Sequence, residues 1–296
     1  MKNIGEFFLR SRWQTFIIAL LIAFIPLLAS FAVIIMALVT LRKGWQEGFW
    51  ILLATIIPAL VVFFTTQTDL VLVGSTIASN ILVWLLAGVL HTKVSWAAVL
   101  NVATVVGVIV VIVIHVLYPD IAQWWQHNLL QYSQEAKTLL TSLNENKTLT
   151  PELVNQIASV ATGIQISVLI GLNLLSLVFA RWWQAILFNP EQLRPELHNI
   201  RIAPSLGIIL LLVLLLAGLT QQAIAIDVIP VMLLPFIVAA LSLIHYWVFG
   251  KKTAIMILSL FYIMTILLFP YVIVLLIILG MVDSGINLRA RLGPKK

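Results

Sequence analysis

The chain has 296 residues, of which 62% are apolar and only 9% are charged, and its mean hydropathy is +1.11. A soluble domain carries roughly a quarter of its residues as charges to dress its surface, so a soluble globular fold is excluded. The formal charge of +6 belongs to loops beside anionic head groups rather than to a separate basic domain, which argues against nucleic acid as a partner.

Eight apolar runs follow one another: Gln14 to Leu41, Gly48 to Phe64, Leu70 to Leu90, Ala97 to Leu117, Ile157 to Ala180, Ser205 to Leu219, Val228 to Phe249 and Thr253 to Val282. Most approach the roughly 20 residues that cross a hydrocarbon core. They are continuously apolar rather than alternating, which predicts helices and not barrel strands. The expected fold is all-α, a polytopic helical bundle forming a single transmembrane domain over residues 1–296. The absence of cysteine removes disulfide, thiolate and iron–sulfur chemistry. The first run is too long for a signal-peptide core and lacks a small-x-small cleavage site, so it is expected to stay in the mature protein.

The first and last runs are the longest, and each has one internal proline, Pro26 and Pro270. If every run crosses once, the 17 Lys and Arg residues divide almost evenly between the two sides, against the usual cytoplasmic bias. If both proline-containing runs double back, only Lys137 and Lys147 remain outside. Proline breaks helices, and halves of about 13 residues would be re-entrant half-helices too short to span. A single tilted, kinked helix is the other reading; tilt absorbs length but does not repair the charge balance.

In the doubled-back topology, residues 118–156 form an outer, periplasmic segment. Asp120 is expected to open a short helix with Trp124, Trp125, Leu129 and Leu130 at the interface. Thr150-Pro151-Glu152 has the pattern of an N-cap, first-turn proline and acidic first turn for a long helix entering the membrane. Asn146-Lys147-Thr148 matches a glycosylation sequon, a pattern too common to weigh. Residues 181–204 read as an interfacial cytoplasmic loop, with Trp182 and Trp183 at head-group level and Pro190, Pro195 and Pro204 barring one long helix. A lipid-facing connector is favoured there over a partner-docking elbow.

Ser159, Gly163, Ser167 and Gly171 fall four apart and should share one helix stripe where another backbone approaches. Gly74, Ser75, Ala78 and Ser79 in the third run repeat the device, and the first run has Ala19 and Ala23. Polar groups inside the runs are few: Asn80, Asn101, His115, Gln165, Asn173 and His245, with Asp69, Asp227 and Asp283 near ends. Each should face the bundle interior, a cavity or an interface. Asn80, Gln165 and Asn173 are the candidate polar contacts of a ligand pocket between the third and fifth runs. The competing reading of such groups is an interhelical hydrogen bond of about 0.6 kcal/mol. His245 and Trp247 are further ligand candidates, or part of an aromatic belt. The five histidines show no metal-ligand spacing. Neither a nucleophile elbow nor a phosphate-binding loop occurs, so no catalytic residue, metal or cofactor is expected.

Leu38-Val39-Thr40-Leu41-Arg42-Lys43-Gly44, Ala180-Arg181-Trp182-Trp183-Gln184 and Leu279-Gly280-Met281-Val282-Asp283 together resemble the YybS-like family of predicted bacterial membrane proteins. That family is distantly similar to the substrate-binding S components of energy-coupling-factor transporters. The resemblance implies a bacterial inner membrane, capture of a small molecule, and a transmembrane coupling subunit with separate ATPases as partners. Ala19 and Ala23 loosely match the small-residue docking pattern of S components; two additional runs and the outer segment depart from it. The expected function is thus a non-enzymatic, small-molecule-binding transporter-like subunit. The alternative is a membrane scaffold or assembly factor that binds other envelope proteins; an enzyme acting on lipid ranks third.

Overall fold

A computed structural model describes residues 2–66, 69–141 and 150–292, with side chains over the same stretches except 2–3, 134–141 and 292. Every described element is an α-helix, as unbroken apolar runs require where the lipid offers backbone groups no partner. Six are long and apolar enough to cross a membrane: α4 (Trp45–Thr66), α5 (Leu70–Lys93), α6 (Trp96–Leu117), α9 (Ala161–Phe188), α12 (Ala223–Val248) and α14 (Phe269–Ile286). Shorter apolar helices are α2 (Arg12–Ala23), α11 (Pro204–Thr220) and α13 (Ala254–Leu267). The remainder are α1 (Lys2–Arg10), α3 (Ala29–Lys43), α7 (Ile121–Thr141), α8 (Pro151–Ala158), α10 (Leu193–His198) and α15 (Leu288–Leu292).

The first run doubles back. α2 stops at Ala23, residues 24–28 turn around Pro26, and α3 returns. Arg12, opening α2, forms an ion pair with Glu47 just beyond the end of α3, so the two helices lie antiparallel. At 12 residues, α2 is about 18 Å long and cannot span a bilayer alone. Gly44 reverses the chain again at φ 88, a left-handed conformation suited to glycine, and α4 runs back beside α3.

The last run also reverses. α12 ends at Val248, Gly250 turns with φ 79, and α13 comes back with Tyr262 Oη 3.3 Å from His245 Nε2. α14 then runs parallel to α12, because Gly280 abuts the Phe236 backbone while Arg289 reaches Ala239 and Ser242. Pro270 lies in the first turn of α14, where its missing N–H costs nothing; Leu268 occupies the break between the helices.

Two helices organise the packing. α3 is enclosed by α2, α4, α5 and α9, and every residue from Ile35 to Leu41 is buried, as befits a helix apolar all round. α12 holds the second half together with α6, α9, α11 and α14, around Phe236. α9 touches both groups and unites them.

Several segments depart from their sequence-based reading. Thr150 does cap α8, its Oγ1 accepting from Leu153 N at 3.3 Å, but the helix stops at Ala158 and α9 begins only at Ala161. Ser159 therefore stands outside the helix carrying Gly163, Ser167 and Gly171, and its hydroxyl donates to the Gln156 carbonyl. α9 continues to Phe188, so residues 181–188 are helix rather than loop; Pro190 and Pro195 then confine α10 to six residues. α12 starts at Ala223 and takes Asp227 into its interior. α7 begins after Asp120 and carries Trp124, Trp125, Leu129 and Leu130. The sequon at Asn146-Lys147-Thr148 lies outside the described residues.

The reversals gather charge at one end. Arg12 pairs with Glu47, Arg42 stacks over Phe188, Arg181 pairs with Glu196, Arg194 stacks over Phe249 and Lys251 over Trp247. Arg201 and Arg289 bind the C-terminus of α14, and His91, next to Lys93, binds the Leu41 carbonyl. Arg10, Lys43, Lys252 and Arg291 adjoin these contacts in the chain. Every Lys and Arg whose side chain is described thus belongs to this end.

Candidate functional site

Where the α2–α3 turn stops short of the opposite end, it leaves space beside α4, α5 and α9. A cavity of about 590 Å³ occupies that space, a size within the range of small-molecule pockets. Pro26 and Ser30 of the re-entrant turn line it, with Thr55 and Pro58 of α4, Ser79 and Asn80 of α5, and Asn173 and Ser176 of α9. The break at Pro26 itself forms part of the wall, through Phe24 and Pro26.

Asn80 and Asn173 come together in this wall. Asn80 is buried and donates through Nδ2 to the Thr55 carbonyl at 3.3 Å. Asn173 is 7% exposed; its Oδ1 accepts from Ser79 Oγ at 2.7 Å, while its buried Nδ2 has no partner. A buried donor left unpaired costs about 1–3 kcal/mol. Gln165, the third expected contact, is exposed and does not line the cavity. Its place on α9 is two turns toward the opposite end, on another side of the helix.

His245 and Trp247 lie at the cationic end. His245 joins His198, Tyr246, Phe249 and Tyr262 around a second cavity of about 1030 Å³. Burial holds His198 below the usual histidine range, with His245 and nearby arginines acting in the same direction. Trp247 is half-exposed under the Lys251 ammonium, 3.3 Å from the ring centroid, an arrangement suited to the head-group region.

The small residues divide sharply. Ala19 is fully buried, and Ala23 lines the first cavity. At Gly163 an added Cβ would collide with the Asp227 carbonyl of α12, a real close approach of backbones. Gly74 and Gly171 face open space; Ala78 is exposed and Ser167 half-buried. The spacing alone did not distinguish these environments.

Two buried polar groupings escaped the sequence reading as constellations. At the end opposite the cations, Asp227 Oδ1 accepts from Gly163 N at 2.6 Å, and its Oδ2 lies 3.6 Å from His115 Nε2. Trp125 of α7 donates to the adjacent Thr162 at 2.9 Å, tying the outer helix to the bundle. At the cationic end Arg289 binds Asp283 Oδ2 at 2.5 Å, Ser242 Oγ at 3.0 Å and the carbonyls of His198, Ile200 and Ala239. Arg201 takes the carbonyls of Asp283 and Ser284 at 3.0 and 2.8 Å. Arg201 thus caps carbonyls in the last turn of α14. Gln184 does the same for α3, donating to the Leu41 carbonyl at 3.1 Å while accepting from Arg181 at 2.5 Å. Among the described residues, no group of three or more His, Cys, Asp or Glu is arranged to hold a metal ion.

No curated protein and no solved structure matches the chain. A family model described as "Predicted membrane protein (DUF2232)" matches residues 14–284, a stretch that includes the re-entrant turn, both asparagines and Asp283. The match extends over most of the chain, and with six helices among the described residues long and apolar enough to cross a membrane it makes this a multi-pass membrane protein belonging to the family of predicted membrane proteins DUF2232.

Proposed function

We propose that the protein is a small-molecule-binding, transporter-like membrane subunit without catalytic activity of its own. The cavity beside the re-entrant turn carries the reading. It is walled by α2, α3 and the helices packed around them, α4, α5 and α9, and it holds a buried amide donor with no protein partner. Discontinuous helices commonly frame substrate sites in transporters. Coupling would come from a separate membrane subunit with ATPases. The cationic end faces the cytosol of a bacterial inner membrane in this reading, by the positive-inside rule.

Thermal unfolding of detergent-purified protein against a metabolite panel tests it. A ligand should raise the Tm of the parent chain and lose its effect in Asn173→Leu. A panel that leaves the Tm unchanged throughout counts against the reading. The scaffold alternative draws on a different feature, the open face at Gly74 and Ala78 on α5. It predicts stable co-purification with envelope proteins that is lost when both positions become leucine.

A further inference from the structure

We infer that the cavity beside the re-entrant turn selects an uncharged molecule bearing a hydrogen-bond acceptor, a carbonyl or hydroxyl oxygen, and excludes ions of either sign. This deepens the proposed function and rests on it. Among the described residues lining the cavity, none is Asp, Glu, Lys, Arg or His. Polar groups are nevertheless plentiful: the two amides are joined by the hydroxyls of Ser30, Thr55 and Ser79. Most hydroxyls around the site are occupied. Thr55 donates to the Leu52 carbonyl at 2.8 Å, Ser176 to Leu172 at 3.1 Å, and Ser79 to Asn173. Among the described residues lining the cavity, the buried side-chain donor left without a partner is Asn173 Nδ2, and a donor demands an acceptor.

An ion entering this space would lose its hydration without gaining a counter-charge, a penalty that a few neutral dipoles do not offset. A neutral molecule with one acceptor would satisfy Asn173 and cover the apolar walls formed by Val33, Val62, Leu72 and Leu169. The site therefore discriminates by charge first and by shape second.

The chain contains no cysteine, so a single introduced thiol reports on the cavity without background. Ser176→Cys is treated with three methanethiosulfonates of one chemistry, neutral methyl, cationic trimethylammonioethyl and anionic sulfonatoethyl. Each rate is normalised to exposed Gln222→Cys. The neutral reagent should react at least about tenfold faster than either ion. Adding Asn173→Asp should raise the cationic rate selectively. Charged reagents that match the neutral one overturn the inference, as does failure of all three, which would mean that the space is filled by lipid. The thermal-shift panel completes the test with matched neutral and ionised pairs such as nicotinamide and nicotinate. An ionised compound that stabilises the protein in an Asn173-dependent manner overturns charge selection. A panel with no hit at all defeats the functional reading while leaving the reagent selectivity intact.

Discussion

At Arg289 a guanidinium lies almost wholly inside protein, held by one carboxylate, one hydroxyl and three backbone carbonyls. Desolvation lowers its pKa and Asp283 opposes that. The residue ties the α10–α11 connection, α12 and α14 into one corner. Replacing it by methionine strands a fully buried Asp283, and losses of that kind run to about 3–5 kcal/mol. Arg289→Met should therefore unfold at a clearly lower temperature in detergent, and Asp283→Asn added to it should restore part of the loss. Asn173 has the opposite balance. Its unpaired Nδ2 destabilises the empty protein, so Asn173→Leu should raise the Tm of the ligand-free chain while abolishing ligand-induced stabilisation. A variant that is both less stable and still responsive would show the amide to be purely structural. Asn80 and Asn173 could be picked out from sequence because polar groups are rare in these runs. That Ser79 on another helix meets the Asn173 oxygen while the Nδ2 is left without a partner depended on the packing of α5 against α9.

On the scale of elements, the close contacts set the helix spacing. Gly163 meets the Asp227 carbonyl and Gly280 the Phe236 carbonyl, both on α12, whereas Gly74 and Gly171 meet nothing. Gly163→Ala and Gly280→Ala should each cost about 1–3 kcal/mol through overpacking. Gly74→Ala and Gly171→Ala should be neutral or slightly stabilising, since alanine is the better helix former by about 1 kcal/mol. Comparing the four melting temperatures checks this. A four-residue spacing in sequence puts small residues on one stripe, yet it carries no information about what the stripe faces. The break at Ser159 and Val160 was invisible for a related reason. Neither residue forbids helix, and the observed turn coincides with the tight seating of Gly163 on α12. The reversal at Pro26 was legible because proline and charge pointed the same way. Arg12→Cys with Glu47→Cys should cross-link through a flexible bifunctional thiol reagent; absence of the product would contradict the antiparallel α2–α3 pair.

Over the whole molecule, charge sorting and shape are two views of the same folding. Each reversal returns a Lys or Arg to one end, where cations find carboxylates, aromatic rings and helix-terminal carbonyls. The opposite end keeps Asp69, Asp120 and the buried Asp227–His115 pair. Impermeant labelling of single cysteines at 42, 43, 251 and 252 should give the same sidedness as the N-terminus, and the opposite sidedness to residues 120 and 222. Any of the first four labelled from the other side would break the arrangement, and at 42 or 43 it would also undo the α2–α3 reversal that walls the cavity.

Composition and run length alone determined that this is an all-helical membrane protein, because lipid leaves an apolar chain no other way to pair its backbone. The charge distribution along the chain added both reversals, since only those collect the cations at one face. Tertiary structure alone decided which small residues touch a neighbouring backbone, that α9 runs on to Phe188, and that Gln165 is remote from Asn80 and Asn173. Those outcomes depend on the rotation and offset of each helix against the next, and hydrophobic pattern says little about either when nearly every face is apolar.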